Sequence, residues 1–100
     1  MTAETIGKAG GLYCYMITPF TKEGAIDHNA MERYVDEVIA IGVDGVTCVA
    51  STTEGPYLIE SERFEIVQTV CDVARNRVPV NVGIGAHSTR QSLHLSLIHI

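Results

Sequence analysis

The sequence predicts an α/β fold built on a parallel sheet, and three features point there. Short β-branched, apolar runs alternate with amphipathic helical segments along the 100 residues. The runs are apolar throughout, as in strands covered on both faces. Polar clusters recur where each run stops, which is where parallel α/β folds of both barrel and open-sheet type gather their chemistry.

Leu12-Tyr13-Cys14-Tyr15-Met16-Ile17 reads as the first strand, closed by Thr18-Pro19. Thr21 to Gly24 makes a polar loop, and Asp27 has the character of a helix N-cap worth about 1 kcal/mol over alanine. Ile26 and Met31 are spaced as a hydrophobic staple. Met31, Tyr34, Val35, Val38 and Ile39 then lie on one buried helical face, and Gly42 ends the helix. Val46-Thr47-Cys48-Val49-Ala50, bounded by Gly45, is the second strand. A second helix runs from about Glu60 to Ala74, with Ile59 a poor residue at its N-cap. Its core stripe is Ile66 or Val67 with Val70, Cys71 and Ala74, leaving Glu62, Arg63, Asp72 and Arg75 solvated. Asn76-Arg77 turns the chain into a third strand, Val78 to Ile84, whose proline is tolerable near its beginning. A third helix opens near Ser88 or Thr89, although Leu93, Leu95, Leu97 and Ile100 alternate more as in a strand.

Composition narrows the function. A net charge of −5 with no Lys/Arg cluster argues against nucleic acid and against an anionic membrane surface as partner. The first residues, Met1 to Thr5, lack the basic and apolar pattern of a secretory signal, and no apolar stretch approaches the roughly 20 residues of a membrane span. Cys14, Cys48 and Cys71 sit inside apolar elements and read as small buried hydrophobes in a reducing compartment, so a cytoplasmic location is expected. His87, His94 and His99 match no compact zinc spacing, and no metal or cofactor is expected.

The turn Ser51-Thr52-Thr53-Glu54 is the richest of the polar clusters. Adjacent hydroxyls and free backbone N–H groups at a strand end suit a small carboxylate, because charge-assisted hydrogen bonds are the stronger kind. The plainer alternative is that these hydroxyls only satisfy their own backbone. Thr18-Pro19 and Gly85 to Ser88 share the same rim, which favours the functional reading.

Several motifs recur in order and with matching spacing: Ile17-Thr18-Pro19-Phe20, Gly42-Val43-Asp44-Gly45, Ser51-Thr52-x-Glu54, and Pro79-Val80 through Gly83-x-Gly85-Ala86-His87-Ser88-Thr89. The set, over residues 11 to 94, resembles the opening of the dihydrodipicolinate synthase and N-acetylneuraminate lyase family, the class I pyruvate aldolases. The resemblance implies about three βα units from the N-terminal part of a (β/α)8 TIM barrel, in a parent protein that is a homotetramer or homodimer. It implies a Schiff-base-forming lyase, aldolase or synthase that takes pyruvate or another 2-oxo acid with an aldehyde co-substrate. Ser51 matches the hydroxyl that joins a proton relay with tyrosines, and Thr52 matches a binder of the pyruvate carboxylate. Both would be substrate-binding, with Ser51 also catalytic. A synthase acting on 4-hydroxy-tetrahydrodipicolinate chemistry and an aldolase of N-acetylneuraminate or 2-keto-3-deoxy sugar acids are both compatible.

The family usually has glycine where Ala50 and Thr53 stand. A left-handed backbone at Thr53 would cost on the order of 1–2 kcal/mol and could make Thr52-Thr53 the binding pair. Gly55, Glu60, Arg63 and His87 do not reproduce the polar pattern of the lysine feedback site that some synthases carry near this turn, so no such regulation is expected. A whole barrel takes roughly 250 residues. The only lysines here, Lys8 and Lys22, are not on a barrel strand, so the Schiff-base lysine would lie outside this chain and the chain alone would be inactive. Residues 1–100 therefore read as a single truncated barrel domain, with 95–100 as a non-native tail resembling translated sequencing adapter.

Two readings of other classes compete. Gly83-x-Gly85 after a strand could belong to a nucleotide-binding α/β module, but Ser88 stands where that fingerprint wants glycine or alanine. A small non-catalytic domain could instead pair with itself to cover open sheet edges, although aggregation is the expected fate of such edges.

Overall fold

The computed structural model describes residues 10–99, with side-chain surroundings through residue 98. The readings of Met1 to Thr5, Lys8, Ile100 and the His99 side chain fall outside them. Three strands, β1 (Tyr13–Tyr15), β2 (Gly45–Cys48) and β3 (Val80–Val82), alternate with three helices, α1 (His28–Ile41), α2 (Glu60–Ala74) and α3 (Thr89–His99). The sheet order is β1-β2-β3 and both pairings are parallel. Cys14 lies opposite Val46, which lies opposite Val80. The strands are shorter than their apolar runs, and β2 ends where Val49 leaves extended geometry.

The core joins sheet and helices. Met16, Val46 and Cys48 pack with Met31, Val35 and Val38 of α1 and with Ile66, Val70 and Ala74 of α2. Strand β2 is buried along its whole length, as expected of the central strand of a covered parallel sheet. Asp27 caps α1 by accepting from the Ala30 amide at 3.0 Å, and the Gly42 amide closes its C-terminus on the Ile39 carbonyl. Asp27→Ala should lower stability by about 1 kcal/mol, read from the urea midpoint; an unchanged midpoint would show that α1 is held by packing alone. The α1–α2 seam also carries a contact between His28 Nδ1 and Thr69 Oγ1 at 3.0 Å.

Helix α2 starts after Ile59, as the sequence places it. Its apolar N-cap offers no side-chain acceptor, but Glu62 accepts from the Ile59 amide at 3.0 Å. Three expectations are corrected. Cys71 is exposed and Cys14 only partly covered, so Cys48 alone of the three is a core thiol. Arg63 is buried, at 6% exposure. Leu93, Leu95 and Leu97 lie on helix α3, not a strand. Helical geometry sends Leu95 inward and leaves Leu93 and Leu97 exposed, and Ser88 Oγ caps the helix by accepting from the Gln91 amide.

Candidate functional site

The site is built on a strained strand end. Val49, a β-branched residue directly after β2, has φ +48°, a region such residues rarely adopt. The chain then makes a tight 3-10 turn over Ser51–Thr53, and Glu54 follows at φ +64°. The left-handed backbone considered at Thr53 falls instead on Glu54, which follows it, and on Val49 just after the end of β2. Strain of this kind persists only where the surroundings over-determine it, and it concentrates at functional sites.

Thr53 is the inner anchor of the turn. Its side chain is fully buried, and its Oγ1 accepts from the Ala50 amide at 2.7 Å. The Thr53 amide donates to the Ala50 carbonyl, which also accepts from the Gly55 amide. From the end of β1, Thr18 Oγ1 donates to the Thr53 carbonyl at 2.7 Å, and the Thr18 amide donates to Glu54 Oε2 at 2.9 Å. Two of the three strand-end clusters are thus bolted together. Ser51 and Thr52 remain exposed on the outer side. With Thr53 committed inward, the free hydroxyl pair is Ser51-Thr52, not Thr52-Thr53.

Two glycines press on the same backbone. A Cβ on Gly55 would lie 2.4 Å from the Val49 carbonyl oxygen, and one on Gly83 would lie 2.6 Å from that oxygen and 2.7 Å from Ala50 Cα. Gly83 is therefore required by the crossing of the Val49–Ala50 backbone. That contact, not an approach to a pyrophosphate, accounts for it.

Beside the turn is a cavity of about 550 Å³, walled by Ser51, Gly55, Glu60, Arg63, His87 and Gln91 among others. His87 is exposed at its edge, and Glu60 contacts His94 Nε2 at 3.3 Å at the surface. Arg63 is the residue that the sequence reading missed. Its Nη1 donates to the Gly55 carbonyl at 3.3 Å, its Nη2 donates to the Gly83 carbonyl, and its Nε has no partner among the described residues. Burial pulls its pKa below the usual value, opposed by Cys48 and Glu60. The signal was present: Arg63 stands in helical phase with Ile66, Val70 and Ala74, at i, i+3, i+7 and i+11. Among the described residues no group of three His, Cys, Asp or Glu side chains is placed to hold a metal ion, and no helix is long and apolar enough to cross a membrane.

Parallel strands joined through helices, with hydroxyls gathered at the strand C-terminal rim, are the arrangement of successive βα units found in (β/α)8 barrels. The comparisons agree. Residues 8–98 match the model of the dihydrodipicolinate synthetase family, and the chain belongs to that family. Among curated relatives, the 4-hydroxy-tetrahydrodipicolinate synthase of Acidiphilium cryptum is 38% identical over 81% of this chain and 28% of its own length. That of Natronomonas pharaonis is 40% identical over 86% of this chain and 29% of its own. Among solved structures, the Methylacidiphilum fumariolicum synthase aligns with TM-score 0.84 at 33% identity, over 90% of this chain and 30% of that one. The chloride-inhibited dihydrodipicolinate synthase from Acinetobacter baumannii, complexed with pyruvate, aligns with TM-score 0.86 at 29% identity, over 89% of this chain and 31% of that one. The chain spans about three-tenths of the length of these relatives.

Proposed function

We propose that this chain supplies the carboxylate-binding corner of a Schiff-base-forming synthase that condenses pyruvate with an aldehyde. The observation that carries the reading is the exposed Ser51-Thr52 pair on a turn whose third hydroxyl, Thr53, is buried and fully engaged. Thr53 serves the turn's own backbone, which leaves the adjacent Ser51 and Thr52 hydroxyls available at the strand rim. Thr52 Oγ1 and nearby amides hold the pyruvate carboxylate, which fixes the 2-oxo carbon for attack by a lysine contributed from elsewhere in the barrel. Ser51 Oγ, beside it, relays a proton as the carbinolamine loses water and as the new C–C bond forms. The names borne by the relatives favour the synthase over a sugar-acid aldolase. Three cysteines without a disulfide accord with work in the cytoplasm, and the barrel would assemble as a homotetramer or homodimer.

The test is a graft in which residues 1–98 replace the matching N-terminal part of the Acidiphilium cryptum relative. Borohydride in the presence of pyruvate should trap a covalent adduct on the grafted enzyme. Thr52→Ala should raise the pyruvate KM roughly tenfold or more, the loss of a hydrogen bond to a charged group. Ser51→Ala should lower kcat about 100-fold with little change in KM. A folded graft that traps no pyruvate, or in which both variants behave as the unsubstituted graft, would refute the reading.

A further inference from the structure

We propose that Arg63 is a positioning residue for the Ser51-Thr52 turn, a planar clamp that holds the turn against the loop after β3. The inference rests on the reading of that turn given above. An arginine in the first turns of a surface helix ordinarily lies in solvent with its charge hydrated. Arg63 is 6% exposed, and among the described residues no carboxylate lies within ion-pair distance of it. Its guanidinium instead donates to two backbone carbonyls from different loops, those of Gly55 and Gly83.

Those carbonyls belong to the two glycines packed against the backbone of Val49 and Ala50. Arg63 thus closes a three-sided frame around Val49, the strained residue two positions before Ser51. Gly55 and Gly83 press on Val49 and Ala50, and Arg63 ties the glycines together from α2. Two parallel N–H donors in a rigid plane can span both carbonyls at once, whereas a lysine ammonium on a flexible stem reaches them only as a point charge. Since the frame fixes where Ala50 ends, it also sets the position of the Ser51 and Thr52 hydroxyls, although Arg63 hydrogen-bonds to the Gly55 and Gly83 carbonyls and not to them.

The grafted enzyme described above decides the matter. Arg63→Ala should raise the pyruvate KM and lower kcat, each about tenfold, as expected when substrate-holding groups shift by around 1 Å. Added ethylguanidinium should restore most of both, because it can occupy the vacated space and bridge the same carbonyls. Arg63→Lys, which keeps charge and bulk, should remain impaired and should not respond to ethylguanidinium. If Arg63→Ala does not fold, the Arg63→Lys kinetics decide alone. Variants that unfold earlier but keep the kinetic constants of the unsubstituted graft would reduce Arg63 to a packing residue and overturn the proposal. If Thr52→Ala changes KM in the same assay while the Arg63 variants do not, only the clamp fails. If none of them changes it, the assignment of the turn fails, and the clamp with it.

Discussion

Replacing Gly83 by alanine is expected to destabilise the grafted barrel by about 3 kcal/mol, at the upper end of the usual overpacking range. The added methyl would meet the Val49 carbonyl oxygen at 2.6 Å and Ala50 Cα at 2.7 Å. Both are backbone atoms, so no rotamer change relieves the clash. The segment that must yield already holds Val49 at φ +48° and feeds directly into the hydroxyl turn. Gly83→Ala should therefore weaken pyruvate binding as well as lowering the urea midpoint. A midpoint displaced by less than the equivalent of about 1 kcal/mol would mean that Val49 and Ala50 can shift freely, and the turn would then be less tightly held than its contacts imply.

The second large effect is alkaline. Burial, with a smaller contribution from Cys71, pushes the Cys48 thiol from 9.0 up to about 12. Below pH 9 the thiol is protonated whether the chain is folded or not, so Cys48 contributes its full stabilisation there. Above it the unfolded chain gives up the proton first, and stability falls by about 1.4 kcal/mol per pH unit until the folded thiol also ionises. Over that window the loss approaches about 4 kcal/mol, a large part of the stability of any small domain. Cys48→Ala should lack this alkaline limb. Its deficit relative to the parent, set at neutral pH by the lost packing, should shrink steadily as pH rises from about 9 to about 11. Urea titrations of the two grafts across that range test it, since titrating groups remote from Cys48 are common to both and cancel in the difference. Parallel curves would mean that Cys48 ionises as readily folded as unfolded.

Much of the fold was legible because it depends on local periodicity. The stripe Met31, Val35, Val38 in α1 and the continuous burial of β2 both follow from residue spacing. The caps Asp27, Gly42 and Ser88 could also be read, since each acts on backbone within a turn of itself. The sequence places a helix opening near Ser88 or Thr89, where α3 begins. Only the alternation of Leu93, Leu95 and Leu97 points to a strand, because it satisfies a period of two. In the fold, a capped helix buries only Leu95 of that set. Cys71 was placed in the core for a similar reason: it lies one position from Val70, at the margin of the α2 stripe, and the packing leaves it outside.

By itself the sequence determined the order of strands and helices, the rim on which the polar clusters stand, and the hydroxyl-rich turn from Ser51 to Thr53. These follow from side-chain chemistry and spacing along the chain. Only the tertiary structure decided that strain falls on Val49 and Glu54, that Thr53 turns inward, and that Arg63 is buried between two carbonyls. Each of these depends on contacts between segments far apart in the chain: Thr18 with Thr53, Gly83 with Val49, Arg63 with Gly83. A left-handed backbone or a buried cation costs free energy locally and persists only when distant segments offset it, so it cannot be read from neighbouring residues alone.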